Sequence, residues 1–397
     1  MAYITAPMTS WLGDWANLLL RWTHFIAGIA WIGSSFYFIW LDRAFGPDES
    51  LWMVHSGGFY QVEKRRPGPG EIPPVLHWFK YEALFTWITG ISLLVLVYYL
   101  SGAYLLDPGV SRISRGAATG LGIGLLVVGW LIYDLLWRSP LASRRGVAAT
   151  ISLLLLAVVT YALCRLLSGR AAFMHVGSLL GTIMVANVWM RILPAQQQML
   201  DATRAGRHAD FALGERAKQR SVHNSYMTFP LLFIMLSNHY PATYASPVNW
   251  LVLLLLFVAG AAVRHAMIGR GASSRWALVP AALALAGAMF FSTPKSSAAP
   301  ARRVAGGADS LPSFAAVRVV IAQRCQPCHS QWQSDRSFGP APGGVTFDTP
   351  ESIMRLAERI RVRAVDTKTM PLANKTGMTP EERELLARWI AAGAPLR

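Results

Sequence analysis

Residues 21–40 read "RWTHFIAGIAWIGSSFYFIW". Between Arg21 and Asp42 there is no Asp, Glu, Lys or Arg. The window around it, 14–41, is long enough as a helix to cross a hydrocarbon core of about 30 Å, which takes about 20 residues. Working outward, seven further windows have the same character: 77–100, 118–137, 147–168, 171–191, 221–240, 246–267 and 275–292. The fourth and fifth are joined tightly. The chain of 397 residues is 53% hydrophobic and only 15% charged, too apolar for an ordinary soluble protein. The expected fold is therefore all-α: a polytopic bundle of about eight transmembrane helices in a lipid bilayer, followed by a small soluble domain. The first apolar run lacks a basic leader and can span, so it is expected to stay in the mature chain.

A net charge of +16 invites a nucleic-acid reading, but the basic residues are scattered singly between apolar runs, without a stripe of interleaved aromatics. No nucleic-acid partner is expected. Their distribution instead orients the bundle. The first, third, fifth and seventh loops carry Arg43, Lys64, Arg65 and Arg66; Arg138, Arg144 and Arg145; the run from Arg191 to Arg220; and Arg264, Arg270 and Arg275. The even loops hold only Arg112, Arg115, Arg165 and Arg170, and "SNHYPATYASPVN" has no Lys or Arg. The odd loops are expected to be cytoplasmic and both termini periplasmic, in a bacterial inner membrane.

Three domains are expected: a membrane part over 1–292, a flexible linker over 293–312 rich in Ser, Ala, Gly and Pro, and a soluble unit over 313–397. Helical patterns in that unit fall at 313–325, 350–364 and 379–392. The last opens with Thr379 as N-cap and Pro380 at the first helical position.

The soluble unit contains "CQPCH", residues 325–329. Two thiols at this spacing can each add to a vinyl group of one haem, with the next residue carried beneath the iron as an axial ligand. Cys325, Cys328 and His329 are thus expected to hold one covalent c haem, in a periplasmic c-type cytochrome domain. The sixth ligand is expected from Met354, Met370 or Met378. Met370, in "TKTMPL", lies on a loop after a helix and is preferred, whereas Met354, inside a helical pattern, reads as core. Cys164, the remaining cysteine, reads as a buried small hydrophobe.

Ionisable groups inside a membrane are costly, so each histidine there is a functional candidate. His24 shares a helix face with Gly28, Trp31 and Ser35. By depth, His24, His175 and His239 gather towards the periplasmic half and could ligate a b haem or another metal. The competing reading is of hydrogen-bonded histidines steadying helix contacts. His223 and His239 are sixteen residues apart, about 24 Å along a helix, and cannot serve one site. In "HVGSLLGTIMVANVW", Gly177 and Gly181 form a small-residue face for close packing, and Asn187 is a buried amide needing a partner.

The cytoplasmic edge collects groups suited to a planar anionic heterocycle. "VHSGGFYQVEKRR" brings His55, Phe59 and Tyr60; "PPVLHWFKYEALFTW" is expected to place His77, Trp78, Lys80 and Glu82 in the first turns of a helix; "KQRSVHNSYMTFP" brings Lys218, Arg220, His223 and Asn224. Cations, amides and imidazoles beside aromatic faces could bind a purine, or could be ordinary interfacial anchors.

On "RWTHFIAGIAWIGSSFYFIWLD", "GGFY", "LHWFKYEALFTW", "MHVGSLLGTIMVANVW", "KQRSVHNSYMTFPLLFIMLSNHYP", "CQPCH" and "TMPLANKTGMT", the chain closely resembles the membrane-bound, cytochrome c-linked urate oxidases (urate hydroxylases) over essentially its whole length. The resemblance implies oxidation of urate to 5-hydroxyisourate with water as oxygen source. Electrons would pass to the c haem and on to the respiratory chain, through a soluble cytochrome c or a terminal oxidase, without hydrogen peroxide. In that scheme His77, His223 or Glu82 is the general base, Lys80 or Arg220 holds developing charge, and Asn224 contributes an amide. The alternatives are a membrane-anchored electron-transfer cytochrome serving a separate dehydrogenase or oxidase, and a transporter or haem-handling protein with a redox tail.

Overall fold

A computed structural model describes residues 5–46, 49–100, 104–269, 272–293, 312–335 and 341–396. The expected linker falls almost entirely outside them. The membrane part is built from helices α1 (Thr5–Ala44), α2 (Tyr81–Leu94), α3 (Arg115–Leu136), α4 (Arg145–Leu166), α5 (Gly169–Asn187), α6 (Leu193–Arg204), α7 (Phe211–Ser237), α8 (Asn249–Ile268) and α9 (Leu278–Ser292). Among the described residues seven helical stretches are long and apolar enough to cross a membrane, including Gly169–Arg204, which joins α5 to α6. The sixth expected span, 221–240, is not among them. Its helix, α7, begins ten residues early and carries Glu215, Arg216, Lys218 and Arg220 in its first half, so only its second half is apolar.

Helix α5 is the axis of the bundle. Phe173, His175 and Val176 on it are at most 1% exposed, and it packs on α2, α3, α4 and α7. Of the two glycines expected to form its contact face, only Gly177 does so. A Cβ there would stand 2.7 Å from the Ile234 side chain of α7, whereas one at Gly181 would meet nothing within 4 Å.

Beyond Asn187 the helix passes through a π-helical turn, Val188–Ile192, into α6. Pro194 lacks an N–H and cannot continue the i to i−4 ladder, and the wider turn accommodates that loss. The run from Arg191 to Arg220, expected as a loop, is therefore mostly helix.

The first loop also departs from expectation. Ser50–His55 and Gly58–Glu63 pair antiparallel as a hairpin, β1 and β2, with His55 opposite Gly58. Ser56 and Gly57 turn at positive φ of 50° and 78°, as a two-residue hairpin turn requires. After the hairpin the chain stays irregular up to Lys80, and α2 starts only at Tyr81. Pro73 and Pro74 disfavour helix around them, and no side chain caps the helix start. His77 and Trp78 thus precede the helix they were expected to open. The segment is tethered to α6 by Gly70 N–H donating to Thr203 O and by Arg204 donating to Pro74 O.

The C-terminal residues form a second hydrophobic cluster, with Phe314, Val317, Ile321, Leu386 and Trp389 at its centre. Its helices are α10 (Phe314–Arg324), α11 (Pro350–Arg355) and α12 (Pro380–Ala391). The start of α12 is as expected: Thr379 accepts from the Glu382 N–H, and the Glu382 carboxylate accepts from the Thr379 N–H.

Candidate functional site

Asp134 on α3 lies in the apolar run "GWLIYDLLW" and is 3% exposed. Three cations meet it at the arginine-rich end of the bundle. Arg191 donates through Nε at 2.8 Å and also through Nη2, Arg220 donates at 3.0 Å, and Arg138 lies at 3.7 Å. Arg191 and Arg220 therefore share one counter-charge within the protein.

Next to this hub, Asn187 uses both amide hydrogens, donating to Asn224 Oδ1 at 2.9 Å and to the Tyr133 hydroxyl at 3.1 Å. The Asn224 amide donates to Met184 O. The Tyr133 hydroxyl is also hydrogen-bonded to His223 Nδ1 at 2.7 Å, with the direction set by the histidine tautomer. The amide pair is thereby connected to a histidine beside Trp137, 4.0 Å between ring centres.

A chain of contacts links the helices around Asn187. Trp189, in the π turn after Asn187, meets Tyr81 at 6.3 Å between rings, and Glu82 follows Tyr81. Ser225, next to Asn224, accepts from Arg264 Nε of α8 at 2.7 Å, and the Arg264 guanidinium lies 4.1 Å from the Phe36 ring of α1. On these linked elements the buried atoms without a hydrogen-bond partner are Glu82 Oε2, Asn187 Oδ1, Trp189 Nε1, Arg220 Nη1 and Arg264 Nη2. Two further atoms of this kind, Trp130 Nε1 and Thr160 Oγ1, lie on α3 and α4. Buried polar atoms are nearly always paired. Two acceptors and three donors are the kinds of group that the N–H and C=O groups of a flat heterocycle satisfy.

Of the expected site residues, Arg220, His223 and Asn224 lie together on α7, and Glu82 follows Tyr81, which meets Trp189. His77 and Lys80 have other contacts. The Lys80 ammonium sits over the rings of Trp78 and Tyr81, at 5.3 and 5.2 Å. His77 meets Phe79 edge-on and lines an apolar cleft of about 310 Å³ with Trp78, Met199, Leu200 and Phe211. Sequence reasoning missed Tyr133, Asp134 and Trp189 and counted Arg264 as a loop cation. The available signal was a lone charge inside an apolar helical run.

The three histidines expected to gather do not. His24 Nδ1 contacts Thr86 O and Thr89 Oγ1 on α2. His175 is fully buried, with Nδ1 donating to Ala171 O at 2.7 Å and Nε2 accepting from Tyr99 at 3.0 Å. Thr89 and Tyr99 are ten residues apart on one helical run, about 15 Å. His239 is exposed beyond the end of α7. Among the described residues no three metal-ligating side chains cluster.

In the C-terminal unit, Cys325 caps α10, and the amides of Cys328 and His329 both donate to Cys325 O. His329 Nδ1 donates to Val345 O at 3.0 Å, an orientation by a backbone carbonyl that would leave Nε2 for a ligand. Burial pushes the Cys325 thiol up to about 12 and raises Cys328 as well. Met370 is fixed through its backbone, its N–H donating to Arg363 O and its carbonyl accepting from Arg383. Met378 is 3% exposed and belongs to the core, whereas Met354, expected in the core, is 44% exposed.

No curated protein and no solved structure matches the chain. The model of one family, described as Urate oxidase N-terminal, matches residues 10–293, from within α1 to the end of α9, and the chain belongs to that family.

Proposed function

We propose that the protein oxidises urate to 5-hydroxyisourate with water as the oxygen source, and passes the electrons to a c haem held by Cys325, Cys328, His329 and Met370. The balance is urate plus water giving 5-hydroxyisourate, two protons and two electrons, with no hydrogen peroxide. The observation that carries this reading is the set of unpartnered polar atoms at Glu82, Asn187, Trp189, Arg220 and Arg264, inside a domain of the Urate oxidase N-terminal family.

In this scheme Glu82 Oε2 and Asn187 Oδ1 accept from urate N–H groups, and Trp189 and Arg220 donate to its carbonyls. Glu82 is the base nearest the ring. Protons leave through Tyr133 to His223, which are hydrogen-bonded to each other. Arg220, paired with Asp134, steadies charge developing on oxygen. Lys80 and His77, near the rim, guide the anion inwards.

The CQPCH segment suits a haem, because His329 is oriented by a backbone carbonyl and keeps Nε2 for iron. When bound, that haem accepts one electron at a time. From Glu82 to Leu100, at the other end of the same helical run, is about 27 Å, too far for one tunnelling step. His24, level with Thr86 and Thr89, is the proposed position for a relay group, a b haem or another metal. The unit over 313–397 is then periplasmic and hands electrons to a soluble cytochrome c or a terminal oxidase.

Anaerobic addition of urate to the purified single chain tests this directly. The c-haem spectrum should change from oxidised to reduced, with 5-hydroxyisourate formed in a one-to-two ratio to electrons. A chain that needs a second protein for reduction would instead be an electron-transfer module.

A further inference from the structure

Three arginines are buried or half-buried at this end of the bundle, and two of them, Arg191 and Arg220, share one carboxylate, Asp134. The third, Arg264, is 2% exposed. Among the described residues no carboxylate lies within ion-pair distance of it. Nε donates to the neutral Ser225 hydroxyl at 2.7 Å, and Nη2 is buried with no partner. Phe36 covers the guanidinium at 4.1 Å, with Phe229 at 5.9 Å. The neighbouring His265 is engaged with the Tyr226 hydroxyl at 2.7 Å.

A buried cation without a counter-charge is strongly disfavoured. Its aromatic neighbours recover only part of that cost, and a hydroxyl carries no charge. What is missing is an anion. Because rings cover the guanidinium, only its N–H edge remains for a ligand, and that edge suits in-plane, paired acceptors on a delocalised anion.

We infer that Arg264 is the charge-recognising residue among these unpartnered groups, and that the site takes its purine as the monoanion. This rests on the reading of those groups as the urate site. Arg220 shares the Asp134 carboxylate, which offsets part of its charge, whereas Arg264 has no carboxylate partner among the described residues and supplies a full counter-charge. The Ser225 hydroxyl fixes Nε and so aims Nη2 at the ligand. A neutral purine of the same shape would leave the guanidinium unpaired and bind more weakly, which makes Arg264 a specificity determinant as well as an anchor.

The test is anaerobic urate binding to the full-length protein in lipid nanodiscs, followed by tryptophan fluorescence. Arg264→Gln should weaken binding about 10- to 100-fold, the range expected for loss of one charged hydrogen bond, while Arg264→Lys, which keeps the charge but not the fork, should fall between. In the wild type, affinity should drop as the pH is lowered through the first ionisation of urate, and Arg264→Gln should flatten that dependence. Urate affinity unchanged in Arg264→Gln overturns the assignment. Should that variant not fold, wild-type affinity that ignores the protonation of urate overturns it equally. If the wild type does not bind urate at all, the underlying reading of the urate site fails along with it.

Discussion

A single carboxylate, Asp134, holds three guanidinium groups at one end of the bundle. Removing its charge leaves Arg191 and Arg220 facing each other uncompensated. Asp134→Asn is expected to destabilise the membrane domain by about 3–5 kcal/mol, the cost of breaking a buried ion pair from one side, measured as a fall in unfolding temperature in detergent. Tyr133→Phe acts differently. It deletes only the hydroxyl between Asn187 and His223, so urate binding should persist while turnover drops about 100-fold, and the solvent isotope effect on haem reduction should change. Arg220, His223 and Asn224 were legible in the sequence because they lie within one turn of each other on one helix. Asp134 stood out only as a lone charge in an apolar run, and the partners of Tyr133, Asp134 and Arg264 were not legible because they sit on other helices and no local pattern encodes them.

Among elements, close contact decides which small residues matter. Gly122 on α3 faces the His175–Tyr99 pair, and a Cβ there would stand 2.8 Å from His175 Nε2 and closer still to the Tyr99 hydroxyl. Gly177 is similarly tight against Ile234, whereas Gly181 is open. Replacing Gly177 by Val should cost about 1–3 kcal/mol through overpacking, and Gly181→Ala should cost nothing measurable in the same thermal assay. In the C-terminal unit the start of α12 depends on Thr379, and Thr379→Ala should lose about 1 kcal/mol of stability. Burial raises the Glu382 carboxyl, but hydrogen bonds from Arg324 and the Thr379 N–H outweigh it and hold the group below its usual range. A carboxyl held low contributes stability above its unfolded pKa and loses it as pH falls through its folded value. Acid unfolding of this unit, followed by Trp389 fluorescence, should therefore set in as the pH falls below about 4.3, and less steeply in Glu382→Gln.

In the whole molecule, the membrane bundle and the C-terminal unit each have their own hydrophobic cluster, so loss of the haem attachment need not disturb the substrate site. Replacing Cys325 and Cys328 together by Ser should abolish covalent haem, read by a pyridine haemochrome assay, while leaving urate affinity within about twofold. His24→Ala separates the two halves of the reaction in another way. The c haem should remain attached, but urate should no longer reduce it. Unchanged reduction would remove His24 from the electron route.

The sequence by itself determined what short-range composition controls: apolar helices long enough to span a bilayer and the Thr379 start of the last helix. Each depends on residues within a turn or two of one another. The tertiary structure alone decided that α7 is half polar, that the first loop folds as a hairpin, and that His24, His175 and His239 stand apart. It also joined Asn187 to Asn224 and Tyr133, and Arg264 to Ser225. Helix packing sets those contacts, and the surroundings of a buried polar group include neighbours up to 228 positions away in the chain, as for Phe36 and Arg264.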